Sequence, residues 1–468
     1  MKGDFTRVTF DPTNHFTRVL MQQGRVQLDA DSNEQTAILL HYLQTLAADL
    51  IGPHGGPATP ALGFQIAFDT EKRQNNTLTD LTIGAGRYYV DGILCENDAF
   101  DEKGAPSAAI SYYAQADYPF GKQRDPLPVF PFLLYLDVWE HHVTALEAPS
   151  IREVALGMSG PDTTTRAKVV WQIKALPLTK AATNLPENQL ANARDCTKID
   201  TIWNDLKQLW QPANRGRLLA GVRKDAQKPT DVCTIPPDSR YRGAENQLYR
   251  VEIHKGGTAN DGATFKWSRD NGAVVAMLSE TIGSDLTVSG IHDGARGFAG
   301  GQWVELTGDA LELRGELGTL VRLVKVEDEL LTIDPLTASG ALNPNARFPT
   351  ATTIVRRWDQ REVGDVTLQG GAIPIEEGVW FDLEDGIRVQ FQPSAAGDQA
   401  IYRTGDYWLI PARTATGDVE WPRDDKQDPK PLPPHGVEHH YAPLATITTA
   451  DQPIDLRHRF PPSANCPP

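Results

Sequence analysis

The segment from Ser32 to Gly52 constrains the fold more than any other part of this chain. Ser32 and Gln35 match a capping box, and Gly52 followed by Pro53 ends a helix, so we expect a helix from about Asn33. Its apolar residues form two adjacent rows, which are Ile38, Tyr42, Leu46 and Leu50, and Leu39, Leu43, Ala47 and Ile51. So wide an apolar stripe is typical of a helix that is covered by more than one surface.

Two kinds of surface could cover this helix: other parts of the same chain, or the same helix from a neighbouring subunit. We favour the second and predict an oligomerisation or docking interface formed by Ile38, Leu39, Tyr42, Leu43, Leu46 and Leu50. Just before the helix, Asp29, Asp31 and Asn33 imitate a calcium loop, but Glu34 stands where that loop needs glycine. These side chains are better suited to capping the helix.

Strand patterns dominate the chain after residue 60. They cover residues 81–90, 131–140, 168–174, 248–254, 263–268, 302–306, 320–326, 330–334, 353–358, 387–391 and 406–410. One further helix is predicted near 198–211, because Ile199, Ile202, Trp203, Leu206, Leu209 and Trp210 recur at helical spacing. The expected fold is therefore mainly β with a few helices (α+β), an N-terminal helix followed by several β-sandwich or small-barrel modules.

The pattern divides the 468 residues into five regions. They are an N-terminal segment with the docking helix (1–60), a β domain (61–180), an α+β domain (181–300), a small β-barrel-like module (301–345), and a C-terminal β region with a proline-rich arm and a tail (346–468). The arm lies between Pro422 and His435, where five prolines exclude a central strand.

Charge and composition exclude several partners. Lys and Arg total 45 against 61 Asp and Glu, giving a net charge of −16, which repels nucleic acid. No apolar run approaches the roughly 20 residues of a membrane span, so we expect no membrane insertion. The N-terminus lacks the pattern of a secretory signal, which predicts synthesis in the cytoplasm. The four cysteines are scattered, and we expect reduced structural thiols.

The sequence contains no recognisable catalytic constellation, so we expect a protein without enzymatic activity, catalytic residues or cofactor. His435, His439 and His440 form the one metal-like cluster, although Pro433 and Pro434 disfavour the helix that would align them. An alternative glycan-binding or glycoside hydrolase function would use an acidic and aromatic group in the C-terminal half. Its members are Asp382, Glu384, Asp385, Asp406, Trp380, Tyr402, Tyr407, Trp408 and Trp421.

Charged residues also lie within two strand patterns, at Arg250, Lys266, Arg269 and Asp270. An Asn-Gly turn at Asn271 favours a hairpin there. We expect these charges to pair or to face solvent, and the sharper alternative is a buried network at an assembly interface.

Several strings across nearly the whole chain together resemble a family of uncharacterised bacterial proteins encoded beside phage-tail and extracellular contractile injection system genes. They are KGDF (2–5), MQQGRVQLDADSNEQ (21–35), GRYYVDGI (86–93), YLDVWE (135–140), IREVALGMSGPDTTTR (151–166), NQLYRVEIH (246–254), TFKWSRDNG (264–272), TGDYWLIPAR (404–413) and HHYAPLA (439–445). The N-terminal pattern is also similar to the start of phage tail-fibre and baseplate-attachment proteins.

This resemblance implies a structural component of a phage-tail-like particle, associated with its baseplate or fibre and made in the bacterial cytoplasm before assembly into a particle that can be released. It further implies a homo-oligomer, a trimer in the tail-fibre comparison, that contacts other proteins of the particle. The alternative, a receptor- or glycan-binding module, belongs to the C-terminal half described above.

Overall fold

The computed structural model describes residues 1–58, 62–68, 73–74, 77–100, 104–123, 125–157, 162–223, 240–291, 297–342, 352–362, 366–395, 397–448 and 452–460. Within this part the protein is mainly β, with an N-terminal helix followed by several sheets, as the sequence predicts. The helices are α1 (Asp29–Ile51), α2 (Lys180–Thr183), α3 (Glu187–Leu190), α4 (Asp200–Lys207) and α5 (Asp309–Glu312). None of the helices described here is long and apolar enough to cross a membrane.

Helix α1 begins earlier than predicted. The Leu28 N–H donates to the Asp31 carboxylate at 3.2 Å, which caps the first turn. Ser32 lies inside the helix, so the predicted capping box at Ser32 is wrong, and the capping role predicted for the preceding acidic residues is confirmed for Asp31. The predicted end is confirmed, because the Gly52 N–H donates to the Ala48 carbonyl at 2.8 Å.

The first β region contains three small sheets. One has four strands in the order β27 (Arg459–Phe460), β1 (His54–Pro57), β6 (Gly86–Val90) and β7 (Ile93–Asn97). Another has three strands, β2 (Ile66–Ala67), β5 (Thr82–Gly84) and β8 (Ala109–Ser111), and a two-stranded ribbon joins β3 (Arg73–Gln74) to β4 (Thr77–Leu78). A strand from the end of the chain thus completes a sheet at its start.

The next sheet repeats this closure. Its order is β10 (Arg166–Pro177), β9 (Phe132–Val143), β25 (His440–Ile447) and β26 (Ile454–Asp455). Strand β9 is apolar on both faces, because Leu134 packs with the small sheets while Leu133 packs with α4. Helix α4 turns Ile202, Trp203 and Leu206 toward that core, which confirms an amphipathic helix packed on a sheet, shorter than predicted.

Two sheets form a sandwich in the middle of the chain. A three-stranded sheet has the order β11 (Arg217–Val222), β22 (Ile387–Gln392) and β21 (Trp380–Asp382). It packs on a five-stranded sheet in the order β20 (Ile373–Pro374), β13 (Thr264–Ser268), β12 (Gln247–Lys255), β23 (Tyr407–Arg413) and β24 (Asp418–Val419). Leu218 and Phe391 from the first sheet meet Val251, Trp267 and Trp408 from the second.

A closed six-stranded barrel is inserted between strands of the sandwich. Its strands, in order around the barrel, are β14 (Val275–Ile282), β15 (Asp285–Ser289), β18 (Leu330–Asp334), β17 (Thr319–Glu327), β16 (Trp303–Thr307) and β19 (Ile354–Trp358). Buried residues alternate along β15 and β18, where Leu286, Val288, Leu331 and Ile333 point inward. This alternation fills the small interior with aliphatic side chains.

Strand pairing crosses two of the predicted region boundaries. The barrel extends from Val275 to Trp358, so the boundaries predicted at 300 and 345 fall inside it. In the proline-rich arm, the N–H and carbonyl of Leu432 bond to Leu218 of β11, which holds the arm against the sandwich. Of the predicted tail, Phe460 belongs to β27, and residues 461–468 lie outside the described part.

The cysteines differ from the expectation of reduced thiols. Cys95 is buried and free, whereas Cys196 is disulfide-bonded. Cys233 and Cys466 lie outside the described residues. The expectation of a reduced thiol at Cys196 is therefore wrong. It failed because sequence spacing does not reveal which thiols meet in space.

The barrel core generates a stability prediction. Leu331→Ala removes a fully buried side chain from the barrel and should lower the free energy of unfolding by about 2–5 kcal/mol, because it leaves a cavity. Leu336→Ala changes a side chain that is 97% exposed and should alter it by no more than about 0.5 kcal/mol. Urea unfolding followed by circular dichroism measures both, and equal losses in the two variants would show that the barrel core is misassigned.

Candidate docking face and central cavity

The chain before α1 runs back along the helix and is tied to it by polar contacts. The Thr9 hydroxyl donates to Glu34 at 2.5 Å, and the Val19 N–H donates to the Gln35 side chain at 2.9 Å. Thr6 also donates its N–H to the Asp29 carboxylate at 2.9 Å. These bonds attach the preceding segment to the first two turns of the helix.

The second half of α1 rests on the turn between β6 and β7. Gly92 lies so close to the helix backbone that a Cβ there would overlap the Gln44 carbonyl, and its φ of +81° also favours glycine. Ile38 is 1% exposed because it packs within its own chain. Ile38 is therefore separated from the predicted docking interface, and a partner cannot reach it.

The other predicted interface residues share one exposed face of α1. Their exposed fractions are 54% for Leu39, 50% for Tyr42, 63% for Leu43, 57% for Leu46 and 70% for Leu50. Residues three and four apart lie on the same side of a helix. The leucines at 39, 43, 46 and 50 alternate steps of four and three, which is the spacing of the apolar seam in a coiled coil.

Exposed apolar side chains are concentrated in the first 50 residues. Among the described residues, 12 of the 21 large hydrophobic side chains that are exposed lie in the first 50 positions. Besides the five on the helix face, they are Val8, Phe16, Leu20, Met21, Val26, Leu28 and Leu40. Soluble monomers rarely gather exposed apolar side chains in this way, whereas binding surfaces do. We call the five helix residues Leu39, Tyr42, Leu43, Leu46 and Leu50 the docking face.

The start of the chain is inserted between the sandwich and the barrel. The Asn271 side chain donates to the Gly3 carbonyl at 2.9 Å, and Arg250 donates to the Met1 carbonyl at 3.1 Å. Lys2 forms ion pairs with Glu312 of α5 at 3.1 Å and with Glu252 of β12 at 3.7 Å. The segment that leads to α1 is therefore fixed at its origin.

Lys2 joins a buried charge network. Arg250 pairs with Glu252 at 2.6 Å, and Lys266 of β13 reaches both Glu252 at 3.3 Å and Glu305 of the barrel at 2.6 Å. Glu305 also accepts the indole N–H of Trp358 at 2.8 Å. Arg250, Glu252, Lys266 and Glu305 are each at most 5% exposed, so the ion pairs are shielded from water.

Opposite charges keep the acids of this network ionised. Burial alone opposes ionisation of Glu252, but Lys2, Arg250 and Lys266 hold its pKa well below the usual value. Burial likewise opposes ionisation of Glu312, yet Lys2, Arg356 and His141 lower its pKa to about 2. Glu252 and Glu312 therefore remain ionised at neutral pH.

A cavity of about 770 Å³ opens beside this network. On its far wall Asp137 of β9 pairs with Lys174 and with His439, both at 2.7 Å, and the His439 ring stacks on Trp139 with centroids 4.7 Å apart. Tyr135 stacks on Trp210 at 4.1 Å. This wall combines flat apolar rings with charged groups that are already paired with each other. It therefore does not indicate which kind of ligand the cavity would bind.

The three histidines that could share a metal ion have separate partners. His435 Nδ1 accepts the Leu409 N–H at 3.0 Å, His439 Nδ1 bonds to Asp137 at 2.7 Å, and His440 Nδ1 bonds to Asp91 at 2.9 Å. Burial and the charge of Arg250 lower the pKa of His435 to about 4. Within the described residues these rings do not form one potential metal group.

The acids that a glycoside hydrolase would use also have separate partners, because each contacts a different arginine. Asp406 pairs with Arg215 at 2.6 Å, Glu384 pairs with Arg269 at 2.9 Å, and Asp382 lies 3.9 Å from Arg223. Only the first of these acids lines the cavity. Of the aromatic residues proposed to stack on sugars, Tyr402, Tyr407, Trp408 and Trp421 are buried, and Trp380 is covered by Arg388.

The network predicted around Arg250 and Lys266 exists, but it joins parts of one chain. Arg250, Glu252 and His254 alternate along β12 with the core residues of the sandwich. Such alternation normally places the polar face in water. Here the barrel covers that face, so sequence patterns did not reveal Glu252, Glu305 or Glu312 as members of the network.

Comparison with known proteins yields one match. The model of a family of unknown function (DUF6519) matches residues 1–205 and 217–462. No curated protein matches the chain, and no solved structure matches it.

The network generates a pH-dependent prediction. Glu252→Gln should lower the free energy of unfolding at pH 7 by about 3–5 kcal/mol, because it leaves buried cations without their partner. The folded pKa of Glu252 lies below its unfolded value near 4.5, so its contribution is complete above that value and is lost as the pH falls. Urea unfolding at pH 7, 5 and 3.5 should show the difference from the wild type shrinking at the lowest pH, whereas a pH-independent difference would contradict the assignment.

Proposed function

The chain belongs to DUF6519, a family of unknown function, and we propose that it is a structural component of a phage-tail-like particle of the contractile injection type. In this proposal the protein self-associates through the docking face of α1. The sandwich and the barrel act as a rigid spacer or contact surface, and other proteins of the particle are further partners. The resemblance of the sequence to proteins encoded beside the genes of such particles supports a role in the particle. The exposed leucines support self-association.

The observation that carries the proposal is the exposure of leucines at coiled-coil spacing on a helix that packs on its own chain at Ile38 and Gln44. Covering an exposed leucine contributes on the order of 1–2 kcal/mol. Four leucines on each copy therefore supply several kcal/mol per subunit, which must offset the loss of translational freedom on association. Phe16, Leu20 and Met21, in the segment before α1, are also exposed.

Charge favours this face as the contact between copies. The chain carries a net charge of −16, so most surfaces of two copies repel each other. Residues 35–48 contain no Asp, Glu, Lys or Arg. The docking face is thus an uncharged strip where two copies can approach without bringing like charges together, and the coiled-coil spacing fits the same helix of another copy. A homotrimer is the state that the resemblance to tail-fibre proteins favours.

Replacing two leucines of the face tests the proposal. The double variant Leu43→Asp, Leu46→Asp places two carboxylates in the seam and should convert the oligomer to a monomer, with association weakened at least a hundredfold. Size-exclusion chromatography with light scattering measures the mass of each species. Far-ultraviolet circular dichroism should stay unchanged, because neither side chain contributes to the core of its own chain.

The matched control is Leu156→Asp, Leu336→Asp. It makes the same chemical change and the same charge change at two exposed leucines outside α1. The control should keep the mass of the wild type. A wild type that stays monomeric at high concentration would contradict self-association, and equal dissociation of both double variants would show that added charge, and not the docking face, is responsible.

A further inference from the structure

Three segments bring metal-ligating side chains together where β9 meets the barrel. His141 lies near the end of β9, Glu147 follows in the next loop, and Asp309 begins α5. One ligand atom from each residue lies within 4.8 Å of the other two. Within the part of the chain that the structure describes, this is the one group of three such side chains.

His141 and Asp309 form a hydrogen bond whose length also fits two ligands of one ion. His141 Nε2 lies 3.3 Å from Asp309 Oδ1, whereas the His439–Asp137 and His440–Asp91 pairs are 2.7 and 2.9 Å apart. With metal bonds of about 2.0–2.2 Å, two ligands of a tetrahedral ion lie roughly 3.3–3.6 Å apart. The longer separation therefore leaves room for an ion between the imidazole and the carboxylate.

The surroundings supply negative charge and fix one ligand. The Thr144 N–H and hydroxyl donate to one oxygen of Glu147, at 2.6 and 3.1 Å, and such outer contacts orient metal ligands. Glu147 and Asp309 thus place two carboxylates beside the His141 imidazole.

We propose that His141, Glu147 and Asp309 bind one divalent transition-metal cation, Zn²⁺ or Mn²⁺. One imidazole and two carboxylates form the mixed nitrogen and oxygen donor set that these ions accept, and soft sulfur ligands are absent from this group of three. Asp309 is partly exposed, so the site is open to solvent and to a water ligand. The ion would connect the end of β9 to α5 and clamp the first sheets to the barrel.

Metal titration of the full chain, without a histidine tag and after treatment with EDTA and dialysis, tests this site. Isothermal titration with Zn²⁺ and with Mn²⁺ should show one saturable site per chain for at least one ion, and Mn²⁺ binding can be followed independently by electron paramagnetic resonance. His141→Ala and Glu147→Gln should each weaken binding at least tenfold. Bound metal should also raise the thermal midpoint of the wild type.

The matched control is His440→Ala, which removes the imidazole of a pair that has only one carboxylate partner. It should bind the ion as the wild type does. Because Glu147→Gln preserves the size of the side chain, it decides the result if His141→Ala does not fold. Absence of saturable binding for both ions would overturn the site, as would unchanged affinity in the Glu147→Gln variant.

Discussion

The buried ion pairs between the sandwich and the barrel are the interaction on which the rest of the architecture depends. Lys266 bonds to Glu252 on its own sheet and to Glu305 on the barrel, so one ammonium group links the two units. Removing charges from water is costly, and the cost is offset only while every partner stays in place. The two units are therefore held in one arrangement, because sliding either past the other would leave a buried charge unpaired.

The same network determines where the N-terminal helix lies. Lys2 enters it as a third cation, and Asn271 holds the backbone at Gly3, so the chain leaves the network in a defined direction. Val19 then contacts Gln35 near the start of α1, and Gly92 packs against the backbone of Gln44 in its second half. A loosely tethered apolar helix would fold back onto its own chain, whereas this one is held with its leucines outward. Such an ordered face loses less entropy on association than a flexible one would.

Closure of the chain contributes a second constraint. Strands β25 and β27 come from the last region of the sequence and pair with β9 and β1 from the first. The first sheets are therefore incomplete until the chain has returned through the sandwich. Pairings at such sequence separation are slow to form, because the loop-closure entropy is lost before the contacts are made. Where strands from one predicted region pair with strands of another, those two regions consequently cannot fold independently of each other.

The sequence by itself determined the local elements and their class. Apolar spacing placed α1 and α4, strand patterns placed four of the six barrel strands (β16 to β19) but not β14 or β15, and five of the six docking residues predicted from periodicity are exposed. Such patterns are local, so a few neighbouring residues are enough to reveal them. Only the tertiary structure decided that Ile38 is covered by its own chain, that the polar face of β12 is dry, and that His141, Glu147 and Asp309 meet. These outcomes depend on which distant segment covers a face, and a polar face covered by protein has the same pattern in sequence as a polar face covered by water.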